Sequence, residues 1–241
     1  LKPDFAEAHS NLGNVFKELG RLDEAVESYH KALAIKPDYA GAHANLGLLQ
    51  LLMGDFQNGW RNYAWRWRAI NSPLRPREYE EPFWDGGDLE GKTVFIYPEQ
   101  GLGDFIQFTR YVPLAAKKGG RVVVEVPKVL HCLFSSLEGA NMVIETGQPP
   151  GHFDLHASLL DLPKTPGTTL QTIPARESYL EAPSELIEKW KIKLAVHEGI
   201  HVGIVWGGNP DQKGDKIRFI DPILFKPLLE FTGVTFFSLQ V

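Results

Sequence analysis

The residues best placed to do chemistry fall in two loops, each following an apolar run. The first is Glu99-Gln100-Gly101-Leu102-Gly103-Asp104. It is reached from Val94-Phe95-Ile96-Tyr97 through Pro98 and left at Asp104 with helical spacing in Phe105, Phe108, Tyr111 and Val112. That is a strand, a glycine turn and a helix, the opening of a doubly wound α/β domain, whose ligands sit beyond the carboxyl ends of its strands. The second is the polar loop at 207–216, which follows the strand-like run His201-Val202-Gly203-Ile204-Val205-Trp206.

Other chemistries lack their residues. Gly101-x-Gly103 has no third glycine at dinucleotide spacing and no Walker lysine. No paired His or Cys cluster offers a metal site, and no Asp-x-Asp pair occurs. The single cysteine, Cys132, excludes an internal disulfide, and its apolar neighbours in VLHCLF make it a core residue rather than a nucleophile. The formal charge of −5 disfavours a nucleic-acid partner, and no run is apolar enough to span a membrane. Cytoplasmic residence is the default expectation.

The elements that must position these loops can be read in order. Residues 1–70 repeat at an offset of 34: Lys2-Pro3-Asp4 returns as Lys36-Pro37-Asp38, Asn11-Leu12-Gly13 as Asn45-Leu46-Gly47, Gly20 as Gly54 and Tyr29 as Tyr63. That period with paired helices is the tetratricopeptide signature. Gly13 and Gly47 are expected to let helices approach closely, and Gly20 and Gly54 to end them in left-handed caps. His9 and His43 take packing positions. The last helix turns aromatic and basic (Trp60-Arg61-Asn62-Tyr63-Ala64-Trp65-Arg66-Trp67), which suits docking the arm onto the next domain better than stacking on sugars or bases.

Residues 71–91 read as a linker anchored by Phe83-Trp84. From 92 to 197 strands are expected at 94–97, 121–126, 141–144 and 153–156, with helices at 104–118, 127–137 and 184–196 and a loop-rich stretch at 158–173. Alternation at this spacing implies a parallel sheet. Residues 198–241 begin another α/β unit, with strands at 201–206 and 234–239 around a helix at 221–231. The fold class is therefore α + α/β. The repeat register puts Leu1 at the end of a preceding repeat, and two strands do not close a sheet, so a longer polypeptide truncated at both ends is expected.

Glu99-Gln100-Gly101-Leu102-Gly103-Asp104, Gln107-Phe108-Thr109-Arg110-Tyr111, Phe153-Asp154-Leu155-His156, the run from Gly167 to Pro174 and Trp206-Gly207-Gly208-Asn209-Pro210 together resemble bacterial tetratricopeptide proteins with a glycosyltransferase family 9, heptosyltransferase-like region of GT-B architecture. The resemblance implies an inverting, metal-independent sugar transfer without cofactor, from a nucleotide-sugar to a glycan or protein acceptor. It implies an acceptor-side Rossmann-like lobe at 92–197, the start of the nucleotide-sugar lobe at 198–241, and a repeat arm that recruits a protein partner. Asp104 matches the general base, and the plain alternative is a helix N-cap. On the acceptor side it places Gln100, Gly101, Gly103, Gln107, His156, Thr168 and Thr169, of which His156 and the threonines could instead satisfy buried backbone groups. On the donor side it places Gly208, Asn209, Lys213, Lys216 and Arg218, where small residues expose N–H groups to phosphate and lysine supplies charge, unless the loop is simply solvated. Gly207 and Gly208 stand where heptosyltransferases commonly carry hydroxyl residues. The rival reading is a non-catalytic repeat scaffold carrying a degenerate lobe, and catalysis by the present stretch alone is not expected.

Overall fold

The computed structural model describes residues 5–69, 77–164, 167–175, 178–208 and 219–240. Two units emerge, Leu1–Glu181 and Ala182–Val241. The first joins a helical arm to a parallel sheet, an α + α/β chain.

The arm holds α1 (Ala6–Glu18), α2 (Leu22–Ile35), α3 (Ala40–Leu52) and α4 (Phe56–Tyr63), the last continued by a 3-10 turn, Ala64–Arg68. Ala25, Tyr29, Leu46 and Leu49 form its core. The glycines at the repeated position work as expected. A Cβ on Gly13 would lie 2.7 Å from the Tyr29 ring, and one on Gly47 would lie 2.3 Å from the backbone nitrogen of Tyr63. Gly20 and Gly54, with φ of 73° and 85°, turn the chain between helices. His43 stacks on Trp65 at 4.3 Å and its two ring nitrogens meet Asn62 and the Pro37 carbonyl, so it is a packing residue.

The sheet runs β3-β2-β1-β4, all parallel, with β1 at Thr93–Tyr97, β2 at Arg121–Val126, β3 at Met142–Glu145 and β4 at Leu155–Ser158. Both faces of β1 are buried, which is why its sequence is a continuous apolar run. Val94 and Ile96 pack with Phe105, Val112 and Phe134 in the main core, while Phe95 and Tyr97 pack with Val123, Ile144 and Phe153 on the opposite face. That second face is closed by the strap at 77–84. Tyr79 meets Phe95 and Phe153 edge-on, and Arg77 pairs with Glu125. Trp84 N–H donates to the His156 carbonyl at 2.7 Å and Trp84 Nε1 to the Gly87 carbonyl at 3.0 Å. Trp84 is thus the buried anchor, with Phe83 left half exposed.

Several expectations need correction. The first helix starts at Leu102: α5 is Leu102–Phe108, followed by a 3-10 turn Thr109–Tyr111 and α6, Val112–Ala116. β4 begins two residues later than expected. The stretch after it does not open as a loop, because Leu159, Leu160 and Leu162 are buried in a 3-10 turn, Leu159–Lys164. Only His131–Phe134 of the helix expected at 127–137 is α-helical (α7), and Cys132 is exposed, since Phe134 takes the inward position.

In the second unit α8 (Ser184–Leu194) precedes a parallel pair, β5 (Ile200–Ile204) and β6 (Val234–Ser238). The helix expected at 221–231 is two 3-10 turns, Pro222–Phe225 and Leu228–Glu230. Pro227 lacks the N–H an α-helix needs there. No described helix is long and apolar enough to cross a membrane.

Candidate functional site

In a sheet ordered 3-2-1-4 the chain reverses direction of winding between β1 and β4, and the crevice beyond their carboxyl ends is where ligands bind in such folds. Two segments enter it: the loop from Pro98 to Gly101 after β1 and the 3-10 turn after β4.

Asp104 sits at the third helical position of α5, half buried, and its Oδ2 accepts from the Gly101 N–H at 3.1 Å. Gly101 is the N-cap residue, so the cap expected of Asp104 is instead the reach-back from the third position. The unusual backbone lies not at either glycine but at Gln100, whose φ is +64°; Gly101 has φ −86°. For a residue with a Cβ the left-handed region costs about 1–2 kcal/mol, so neighbouring contacts must hold it. Those contacts are visible. Gln100 Nε2 donates to the Tyr63 hydroxyl and approaches Glu99 Oε1 at 3.4 Å. Gly103 is exposed and a Cβ there would meet nothing within 4 Å, which leaves open space beside the carboxylate. Gln107 is exposed one turn along α5.

Behind the loop lies a buried charge cluster. Arg66, from the 3-10 turn that ends the arm, donates to both oxygens of Glu99, at 2.8 and 2.7 Å, and to Asp161 at 3.1 Å. Ser158 Oγ also donates to Glu99, and Trp67 Nε1 to Asp161 at 3.2 Å. Arg66 and Glu99 are 3% and 6% exposed, so each charge depends on the other for compensation. Burial alone would lower the Arg66 pKa. The hydrogen bonds and charges of Glu99 and Asp161 more than offset that and hold it above its ordinary value. Burial raises the Tyr63 phenol, with Arg66 opposing and the negative charges of Glu99 and Asp104 adding to the rise. The docking expected of the last arm helix is therefore realised by specific polar contacts as well as by Trp60 against Phe108, at 6.0 Å edge-on.

Gln100, Gly101, Gly103, Asp104 and Gln107 are brought together. His156 is not. It pairs with Phe95 in mid-sheet, stacks on Tyr97 and meets Tyr79 and Phe83 edge-on beneath the strap. Its pKa is lowered by burial, with Glu81 pulling the other way. Thr168 and Thr169 line a separate groove of about 350 Å³ with Phe56, Trp60 and Lys164. Thr168 is buried beside the Tyr111 phenol, and the Thr169 N–H closes its own turn by donating to Thr172 Oγ1 at 2.8 Å.

On the other unit Gly208 is exposed after β5, and Gln240 Oε1 accepts from the Gly207 N–H at 3.0 Å. Asn209, Lys213, Lys216 and Arg218 lie outside the described residues. Sequence reasoning gave Tyr63 and Arg66 only a general docking role and Asp161 none. The available signal was an arginine inside an aromatic helix one repeat after a sequence that has none there, together with the carboxylate of Glu99 directly after Pro98.

Residues 13–54 match the model of the TPR repeat. The chain is 26% identical over 266 aligned positions to Protein FlbA of Caulobacter vibrioides, covering 100% of this chain and 44% of that protein. The chain thus spans less than half the length of this curated relative. Among solved structures it aligns with an O-GlcNAc transferase variant from Thermobaculum terrenum at a TM-score of 0.29 and 19% identity, over 59% of this chain and 28% of that one.

Proposed function

We propose that this chain carries the acceptor side of a GT-B glycosyltransferase of the heptosyltransferase-like kind, with the Gln100–Asp104 loop receiving the acceptor hydroxyl. One observation carries the reading. A half-buried carboxylate is fixed in the first turn of α5, next to the point where the strand order reverses, with open space over Gly103. The family-9 resemblance of the same residues supports it.

Asp104 takes the proton of the acceptor hydroxyl as that oxygen bonds to the anomeric carbon of a nucleotide-sugar. The bond to the nucleotide diphosphate breaks, the diphosphate leaves with the electron pair, and the configuration inverts. Gly101, Gly103 and Gln107 contact the acceptor, and Gln100 shapes the loop. The donor side falls to residues 198–241, where Gly208, Asn209, Lys213, Lys216 and Arg218 offer N–H groups and positive charge to the diphosphate. The repeat arm brings in a protein partner or acceptor.

The test is nucleotide diphosphate release by the full natural polypeptide across a panel of nucleotide-sugars. Release from one donor, raised by an acceptor, is the expected result. Neither binding nor release with any donor would favour a repeat scaffold with a degenerate lobe.

A further inference from the structure

The last turn of the repeat arm does more than attach the arm. Tyr63 and Arg66 lie three residues apart in sequence, and each holds a different residue of the loop after β1. The Tyr63 hydroxyl accepts from Gln100 Nε2, and the Arg66 guanidinium grips both oxygens of Glu99. Between Glu99 and Asp104 stands the one loop residue with unfavourable torsions, Gln100. Its conformation directs the Gly101 N–H at Asp104 Oδ2.

A second link fixes Tyr63 itself. Helix α3 approaches α4 so closely at Gly47 that a Cβ would fall 2.3 Å from the Tyr63 nitrogen, and the Tyr63 carbonyl lies 3.4 Å from Arg66 Nη1. Arg66 also ties the far wall of the crevice through Asp161, in the turn after β4. The arm thus supplies three fixed points around the crevice: Gln100, Glu99 and Asp161.

We infer that Tyr63 and Arg66 are positioning residues of the Asp104 loop, so that the repeat arm is part of the transfer site. This deepens the acceptor-side reading and rests on it for the identity of the reaction. Arg66 cannot serve as a simple tether, because a tether needs neither a fork matched to a carboxylate nor burial. Lysine keeps the charge but cannot bridge both oxygens of Glu99 and reach Asp161.

Two variants test this, Tyr63→Phe, which removes one hydroxyl and leaves the ring, and Arg66→Lys. Amide hydrogen exchange on the 241-residue chain reports the loop at Gly101 and the sheet at Val123 and Val124. Tyr63→Phe is expected to speed exchange at Gly101 by about three- to tenfold, the worth of one hydrogen bond, and Arg66→Lys, which loses more than one bond, by more, in both cases beyond any change in the β2 amides. In the full polypeptide Tyr63→Phe should lower kcat for nucleotide release and leave the donor KM unchanged. Unchanged exchange at Gly101 in both variants would overturn the inference. Equal acceleration at Gly101 and in β2 would also overturn it, since that is loss of stability alone. If the wild type turns over no donor, the transferase reading fails while exchange at Gly101 still decides whether the arm holds the loop.

Discussion

Replacing Gly47 by alanine places a methyl group 2.3 Å from the Tyr63 nitrogen and 2.8 Å from the Asn62 carbonyl carbon. Ordinary contact begins near 3.4 Å, so α3 and α4 must separate by about 1 Å, and the atoms in the way are backbone. Inserting a methyl into packed space costs about 1–3 kcal/mol and more where nothing can give, against a gain of about 0.5–1 kcal/mol for removing a helical glycine. A net loss of about 3 kcal/mol is expected, which lowers Tm by about 6–12 °C in a chain of this size. The repeat supplies its own control. Gly13 holds the same register position one repeat earlier, but its methyl would meet the Tyr29 ring at 2.7 Å, and a ring can tilt where a backbone cannot. Gly13→Ala should therefore cost only about 1 kcal/mol. Urea unfolding followed by tryptophan fluorescence, with m held constant, reads both. Equal costs, or a Gly47→Ala variant as stable as wild type, would refute the close-approach reasoning.

Arg66→Met leaves Glu99 buried and Asp161 half-buried without their partner and should cost about 3–5 kcal/mol by urea unfolding, whereas Arg66→Met combined with Glu99→Gln should recover part of that loss. The depressed His156 pKa means that the unfolded chain binds the proton more readily. Stability from this group is complete above its ordinary value of 6.5 and lost as pH falls below it, and His156→Phe should flatten that acid slope in melting curves taken at stepped pH.

The arm was legible because its repeat is a sequence fact: Gly13/Gly47 and Tyr29/Tyr63 recur at one spacing and meet as pairs in space. The sheet was legible because a strand buried on both faces leaves an unbroken apolar run, as at Val94-Phe95-Ile96-Tyr97. At 221–231 apolar periodicity favours a helix, but Pro227 interrupts it, while Pro222 at the first position of its turn is compatible with a helix start. The charged cluster was not legible as a cluster, since Arg66 and Asp161 are 95 residues apart and the local signal at Arg66 does not name its partners. The His156 placement failed for a similar reason. Motif adjacency says which strand a residue ends, but a shift of two residues in β4 moves it from the carboxyl end into mid-sheet.

The account stands most directly on Asp104. Nucleotide release by the full polypeptide should be compared for wild type, Asp104→Asn and Asp104→Ala, with donor affinity measured for each. Asparagine keeps an oxygen for the Gly101 N–H, so both stability and donor binding should survive in Asp104→Asn while release falls by about 10²–10⁴-fold, the usual worth of general-base catalysis. Full turnover by Asp104→Asn would contradict the assignment and leave Asp104 a helix-capping residue alone.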